Sequence, residues 1–239
     1  MTFLDRLRHG LRDYDIRGTI ERRLALLDDR VFDLRNRTDT RGRAGPDALS
    51  ISRPTKRQGT LYVPTRARAL RNFLRTCDFP PGSVFVDLGC GKGQVLLVAS
   101  CFAFKRVVGV EYTRELCSLA TANVQAFRKR HRDAVPIEII EADAAEYEVK
   151  PDENVFYMYH PFGPDVLRQV VLNILSSAAR HSRPVWIVYC HPVHGDVIES
   201  CVESSGMFVR VRTFTYARKE FAVYMLRHVQ TGSVQTAHG

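Results

Sequence analysis

Residues 84–93, Val-Phe-Val-Asp-Leu-Gly-Cys-Gly-Lys-Gly, constrain this chain more than any other stretch, because a β-branched and aromatic run stops at Asp87 and opens into alternate glycines. The run predicts a strand from Ser83 to Asp87. Val95, Leu96, Leu97, Val98, Cys101 and Phe102 predict a helix from Gln94 to Phe104. Gly89, Gly91 and Gly93 therefore occupy a strand-to-helix crossover, where amides at the helix start point outward and no Cβ holds a ligand off the backbone. Glu111, closing the next apolar run, adds an acid at the neighbouring strand end.

Strand and helix alternate from there on. The pattern predicts a strand Arg106–Glu111, a helix Arg114–Arg132, strands Pro136–Glu141 and Asn154–Tyr159, and a helix Pro164–His181. A strand Pro184–Cys190 and a helix Val193–Glu203 follow. Phe208–Tyr216 and Phe221–His228 are separated only by Ala217–Glu220, too short for a crossover helix, so they form an antiparallel hairpin. The expected fold is α/β, a seven-stranded, doubly wound, mostly parallel sheet with a C-terminal antiparallel hairpin and an N-terminal helical extension. Residues 1–58 are the basic extension and loop, 59–228 the α/β domain, and 229–239 a flexible tail.

In the extension, Ile16, Ile20, Leu24, Leu27, Val31 and Leu34 recur at steps of four and three and share one helical face, open to packing on the domain or against a second copy. Polar, turn-rich residues 36–60 predict a loop, and Thr65 is placed to cap a helix from Arg66 to Thr76 with its hydroxyl. The extension carries the charge. Residues 1–76 hold 18 lysines and arginines against 9 acids, while the remainder holds 17 of each. That makes the segment a candidate contact for nucleic acid or for a protein, against the plainer reading of arginines on a wet helix face.

No run approaches the ~20 apolar residues of a membrane span, and the start lacks a signal-peptide core, so a soluble cytoplasmic protein is expected. The six cysteines form no CxxC pair, and Cys190, His191 and His194 lack a second ligand cluster, so neither a disulfide framework nor a metal site is expected. Oligomeric state stays open.

Dinucleotides and S-adenosylmethionine both use a glycine loop after a first strand. The dinucleotide fingerprint needs its third glycine at position 94, which is Gln, and Asp87 would repel a pyrophosphate while welcoming an ammonium and a sulfonium. On these residues and the terminal hairpin, the chain resembles the class I, Rossmann-like S-adenosylmethionine-dependent methyltransferases over roughly residues 60–228. Asp87-Leu-Gly-Cys-Gly-Lys-Gly-Gln-Val-Leu97 and Gly109-Val-Glu-Tyr112 are similar to the non-SET histone lysine methyltransferases and their bacterial homologues.

The resemblance implies S-adenosylmethionine as cofactor. Asp87, Gly89, Cys90, Gly91, Gly93 and Gln94 would hold its methionine moiety, Glu111 with Tyr112 its ribose, and Asp143 and Ala144 its adenine. Tyr62 and Thr65, in Tyr62-Val-Pro-Thr65, would fold over it. Lys92, inside the loop, is expected to face solvent.

Tyr159-His160-Pro161-Phe162-Gly163 closes the fourth strand at the same sheet edge. His160 stands where the family's amino-group methyltransferases carry Asn or Asp, and is the candidate base, with Tyr159 beside it. The acceptor is unidentified, either a protein side chain or a nucleic acid. The other functional readings are an inactive methyltransferase-like binding protein and an NAD-dependent oxidoreductase.

Overall fold

The computed structural model describes residues 27–41, 65–216 and 219–227. Tyr62, the stripe residues Ile16, Ile20 and Leu24, the rest of the loop and the tail 229–239 lie outside the described residues. The elements are α1 (27–36), α2 (Ala67–Arg75), β1 (Val84–Leu88), α3 (Gln94–Ala99), β2 (Arg106–Glu111), α4 (Arg114–Arg128) and β3 (Ile137–Glu141). They continue with β4 (Glu153–Tyr159), α5 (Pro164–Arg180), β5 (Val185–Cys190), α6 (Gly195–Ser205), β6 (Phe208–Tyr216) and β7 (Lys219–Arg227).

The seven strands form one sheet in the order β3-β2-β1-β4-β5-β7-β6. β1 to β5 run parallel, β7 is antiparallel to β5, and β6 returns antiparallel along β7. Strand order reverses between β1 and β4, which opens a crevice beyond their C-terminal ends. Alternate strand residues face opposite layers. Val84, Val86, Phe156 and Met158 pack on α5 and α6 through Leu167, Ile174 and Ile198, whereas Phe85, Val107 and Tyr157 pack on α2, α3 and α4 through Phe73, Leu96 and Phe127. Burial on both faces is why β1, β4 and β5 read as near-continuous apolar runs. It also makes Asp87, the one acid in β1, conspicuous.

Several boundaries differ from the sequence pattern. α3 stops at Ala99 and not at Phe104, because Ser100 bonds back to the Leu97 carbonyl and gives its own carbonyl to Val135; Phe104 is then free to pack on Phe85. α4 ends at Arg128, and α6 begins at Gly195, since His191 takes a positive φ and the Val193 amide turns back onto its carbonyl. β7 starts at Lys219, which reduces the hairpin link to residues 217–218.

One reading before α2 needs correction, and one alternative left open is settled over the described residues. Thr65 does not cap α2: its hydroxyl is 2.8 Å from the Tyr157 hydroxyl. The cap comes from α1, where Asp29 accepts from the Ala67 amide and is paired with Arg66 at 3.2 Å. Of the two alternatives for the apolar stripe, packing on the domain is not seen over the described residues. Leu27, Val31 and Leu34 are 55%, 41% and 69% exposed, whereas Asp29, Phe32, Asp33 and Asn36 face inward. Buried carboxylates are tolerated only with several donors, and both have them. Asp33 accepts from Thr38, Thr40 and Arg41, folding residues 37–41 back over α1. Asp39 then exchanges hydrogen bonds with Asn123 of α4. Among the described residues no helix is long and apolar enough to cross a membrane.

Candidate functional site

The glycine loop leaves β1 with positive φ at Gly89 (+85°), Gly91 (+53°) and Gly93 (+83°), conformations in which a side chain is strained. Space is restricted as well: a Cβ on Gly89 would meet Pro161 at 3.0 Å. That contact brings the end of β4 against the loop. The Gly89 and Cys90 amides donate to the Val110 carbonyl, tying the loop to the end of β2.

Two buried acids edge this loop. Glu111 accepts from the Gly91 amide with one oxygen and from the Thr113 amide with the other, both at 3.0 Å. Burial raises its pKa, and these bonds oppose the rise. Asp87 is different, because its Oδ2 is fully buried and has no hydrogen-bond partner. Burial, and then the Glu111 charge, pushes the Asp87 carboxyl well above the usual range. A native fold seldom leaves such an atom without a reason. A cationic ligand seated in the crevice supplies one, since an ammonium would complete the shell of Asp87 and lower its pKa.

The other predicted cofactor residues surround this pair. Gln94 opens α3, 2% exposed, with its amide nitrogen 3.4 Å from Asp29 and its carbonyl oxygen unpartnered. Cys90 is buried, and Tyr112 is 40% exposed at the end of β2. Asp143 turns the chain after β3 by accepting from the Ala145 amide, and Ala144 packs into the core. Thr65 reaches the site through Tyr157, whose register opposite Asp87 sets the hydroxyl pair one strand away from the orphan carboxylate. Lys92 departs from expectation: its ammonium meets Asp39 and the Arg41 carbonyl, clipping residues 39–41 to the loop.

Across the crevice, His160 takes φ +36° after β4, and its Nδ1 lies 2.9 Å from the Tyr189 hydroxyl. The rings of His194 and His191 are 5.2 and 5.7 Å away. Burial, then those two histidines, lowers the pKa of His160 and holds it neutral. Tyr159 contacts the Lys219 ammonium through its hydroxyl, and the same ammonium sits 4.9 Å from its ring centroid. Tyr189 and Lys219 were not singled out from sequence, and His194 was weighed only as a metal ligand. One signal was available for Lys219, because a strand antiparallel to β5 must start where β5 ends, and Phe221 pairs with Cys190.

Strand order, glycine loop and terminal hairpin define the Rossmann-like class I S-adenosylmethionine-dependent methyltransferase fold. A solved methyltransferase from Pyrococcus furiosus shares it, with a TM-score of 0.50 at 18% identity over 69% of this chain and 84% of that one. Within the class, the family model described as "Histone methylation protein DOT1" matches residues 53–134. The chain is 27% identical, over 134 residues, to a Dictyostelium discoideum histone-lysine N-methyltransferase specific for H3 lysine-79, a match covering 52% of this chain and 7% of the relative. It is 37% identical, over 105 residues, to ribosomal RNA small subunit methyltransferase A of Kineococcus radiotolerans, covering 44% and 33%. The chain thus spans a third or less of either relative.

Proposed function

We propose that this protein transfers a methyl group from S-adenosylmethionine to a protein side chain or a nucleic acid. The observation that carries the reading is the buried, unpartnered Asp87 oxygen beside three positive-φ glycines, on a class I methyltransferase fold. The bound cofactor supplies an electrophilic methyl on a sulfonium, and the protein's own groups do the rest. Asp87 and the loop through Gln94 hold the methionine end, Glu111 with Tyr112 the ribose hydroxyls, and Asp143 with Ala144 the adenine. Tyr62 and Thr65 are assigned to the cofactor on the family resemblance alone.

A carboxylate can accept both hydrogen bonds of a vicinal diol, and Glu111 keeps lone pairs for that beyond the two amides it already binds. Methyl transfer is an in-line displacement, so positioning supplies much of the catalysis. His160, neutral and oriented by Tyr189, takes the proton from the acceptor, and Tyr159 lines the acceptor side. A pyrophosphate would lie against Asp87, which weighs against a nicotinamide enzyme.

The extension, residues 1–58, supplies a contact for nucleic acid or protein, residues 59–228 form the catalytic domain, and the protein works in the cytoplasm. Incubating radiolabelled methyl donor with host lysate fractionated into protein, RNA, DNA and small molecules tests the function. Label in one macromolecular fraction is expected; label in none, with S-adenosylhomocysteine bound, indicates an inactive binding protein.

A further inference from the structure

Away from the crevice, a groove of about 720 Å3 lies between α1 and the helical layer, bordered by α2 and by the ends of α3 and α4. Its charge is one-sided. Arg68, Arg71 and Arg75 follow one another along α2 at spacings that share a helix face, a row about 10 Å long at 1.5 Å per residue. Arg35 of α1 and Arg130 beyond α4 also border the groove.

The one acid in the lining, Asp28, pairs with Arg68 at 3.2 Å. Among the described residues, Arg35, Arg71 and Arg130 have no carboxylate within ion-pair distance. Val31, 41% exposed, gives the groove apolar surface, while Leu97 and Phe127 lie buried beneath it, and Arg130 also borders a second cavity of about 310 Å3, together with Arg37 and Lys129.

We infer that this groove binds a single-stranded nucleic acid. Guanidinium groups would take the phosphates by their forked donors and offer planar faces on which bases stack. The basic track runs on from the first cavity to the second, which suits an extended polyanion better than an isolated phosphate. An acidic peptide would satisfy the charge of the arginines but brings no bases to stack on their planar faces. The inference places a polyanion contact on α2 and Arg130 of the domain, with Arg35 the one arginine that the extension adds, and does not depend on methyl transfer.

Fluorescence anisotropy of the full chain with labelled 12-mers of oligouridylate and oligothymidylate tests it, with polyglutamate as competitor and salt varied from 50 to 200 mM. Binding to one or both oligomers is expected, and the preference between them tells RNA from DNA. An R71Q/R75Q/R130Q variant should lose about tenfold or more in affinity and flatten the log–log salt slope by roughly 2, at ~0.7 per lost charge. The corresponding R71K/R75K/R130K variant should keep the slope. Unchanged melting and unchanged S-adenosylhomocysteine binding establish that the glutamine variant is folded and that its cofactor site is separate. Wild-type affinity in that variant, absence of oligomer binding at 50 mM salt, or preferential capture of polyglutamate would each overturn the inference.

Discussion

The two banks of the crevice are built by different means. On the β1–β2 bank, a short contiguous segment supplies three glycines at positive φ, and two acids arrive from adjacent strand ends. On the β4–β5–β7 bank, His160, Tyr189, His194 and Lys219 come from separate elements and meet only because the strand order puts those elements side by side. The first bank is acidic and nearly closed to solvent; the second is rich in histidine and tyrosine and half-exposed. One is suited to gripping a cation through backbone and carboxylate. The other is suited to handling a proton on an acceptor that comes and goes.

The sharpest way to separate the banks is His160→Ala. If His160 is the base, methyl uptake by the labelled lysate fraction should fall about 10²–10⁴-fold while S-adenosylhomocysteine affinity stays put. Turnover and affinity both unchanged would remove His160 from the mechanism. With wild-type protein, turnover should fall at low pH as His160 gains a proton, below the ordinary histidine range because its pKa is lowered. The same shift makes the fold lose stability as pH drops from the unfolded-state value toward the folded one, since the unfolded chain then binds the proton first.

Asp87→Asn should act on the opposite bank and with a double signature. Cofactor affinity should fall about 10–100-fold, the worth of a hydrogen bond to a charged group, whereas the ligand-free protein should become more stable by about 1–2 kcal/mol, because a buried carboxylate without a partner has gone. Calorimetry and thermal melting read the two effects. In wild-type protein, cofactor affinity should rise with pH as the raised Asp87 gives up its proton, and Asp87→Asn should weaken that dependence. The ligand-free fold follows the opposite sense: a raised carboxyl favours folding at low pH, and that contribution is lost as pH rises from about 4 through the folded pKa.

Gly89→Ala probes where the banks touch. Strain at φ +85° and the approach to Pro161 should cost about 1–2 kcal/mol of stability and weaken cofactor binding. Lys92→Ala should do least. Its ion pair with Asp39 is largely exposed on the acid side, so the loss should stay under about 1 kcal/mol; a larger drop in cofactor affinity would mean that the clip of residues 39–41 organises the loop.

The same contrast explains what the sequence revealed. Glycine alternation after a strand, and an acid ending the next one, are local signals of backbone geometry, so the β1–β2 bank and the sheet could be read directly. His160 was visible at a strand end, but its partner Tyr189 is 29 residues away, and nothing local points to it. The extension was harder to read for a related reason. Periodicity put Leu27, Val31 and Leu34 on one face without saying what covers it, and Asp29 and Asp33 turn inward because amides, hydroxyls and arginines from other segments await them, a network that no single-helix pattern contains. Thr65 looked like a cap until Tyr157 took its hydroxyl.

The most direct test of the central claim is calorimetry of S-adenosylhomocysteine and NAD against wild-type protein and Asp87→Asn. The account predicts heat with S-adenosylhomocysteine, none with NAD, and a fall of about 10–100-fold in affinity for the first on substitution of Asp87. Binding of NAD in place of S-adenosylhomocysteine, or S-adenosylhomocysteine binding that ignores Asp87, would contradict it.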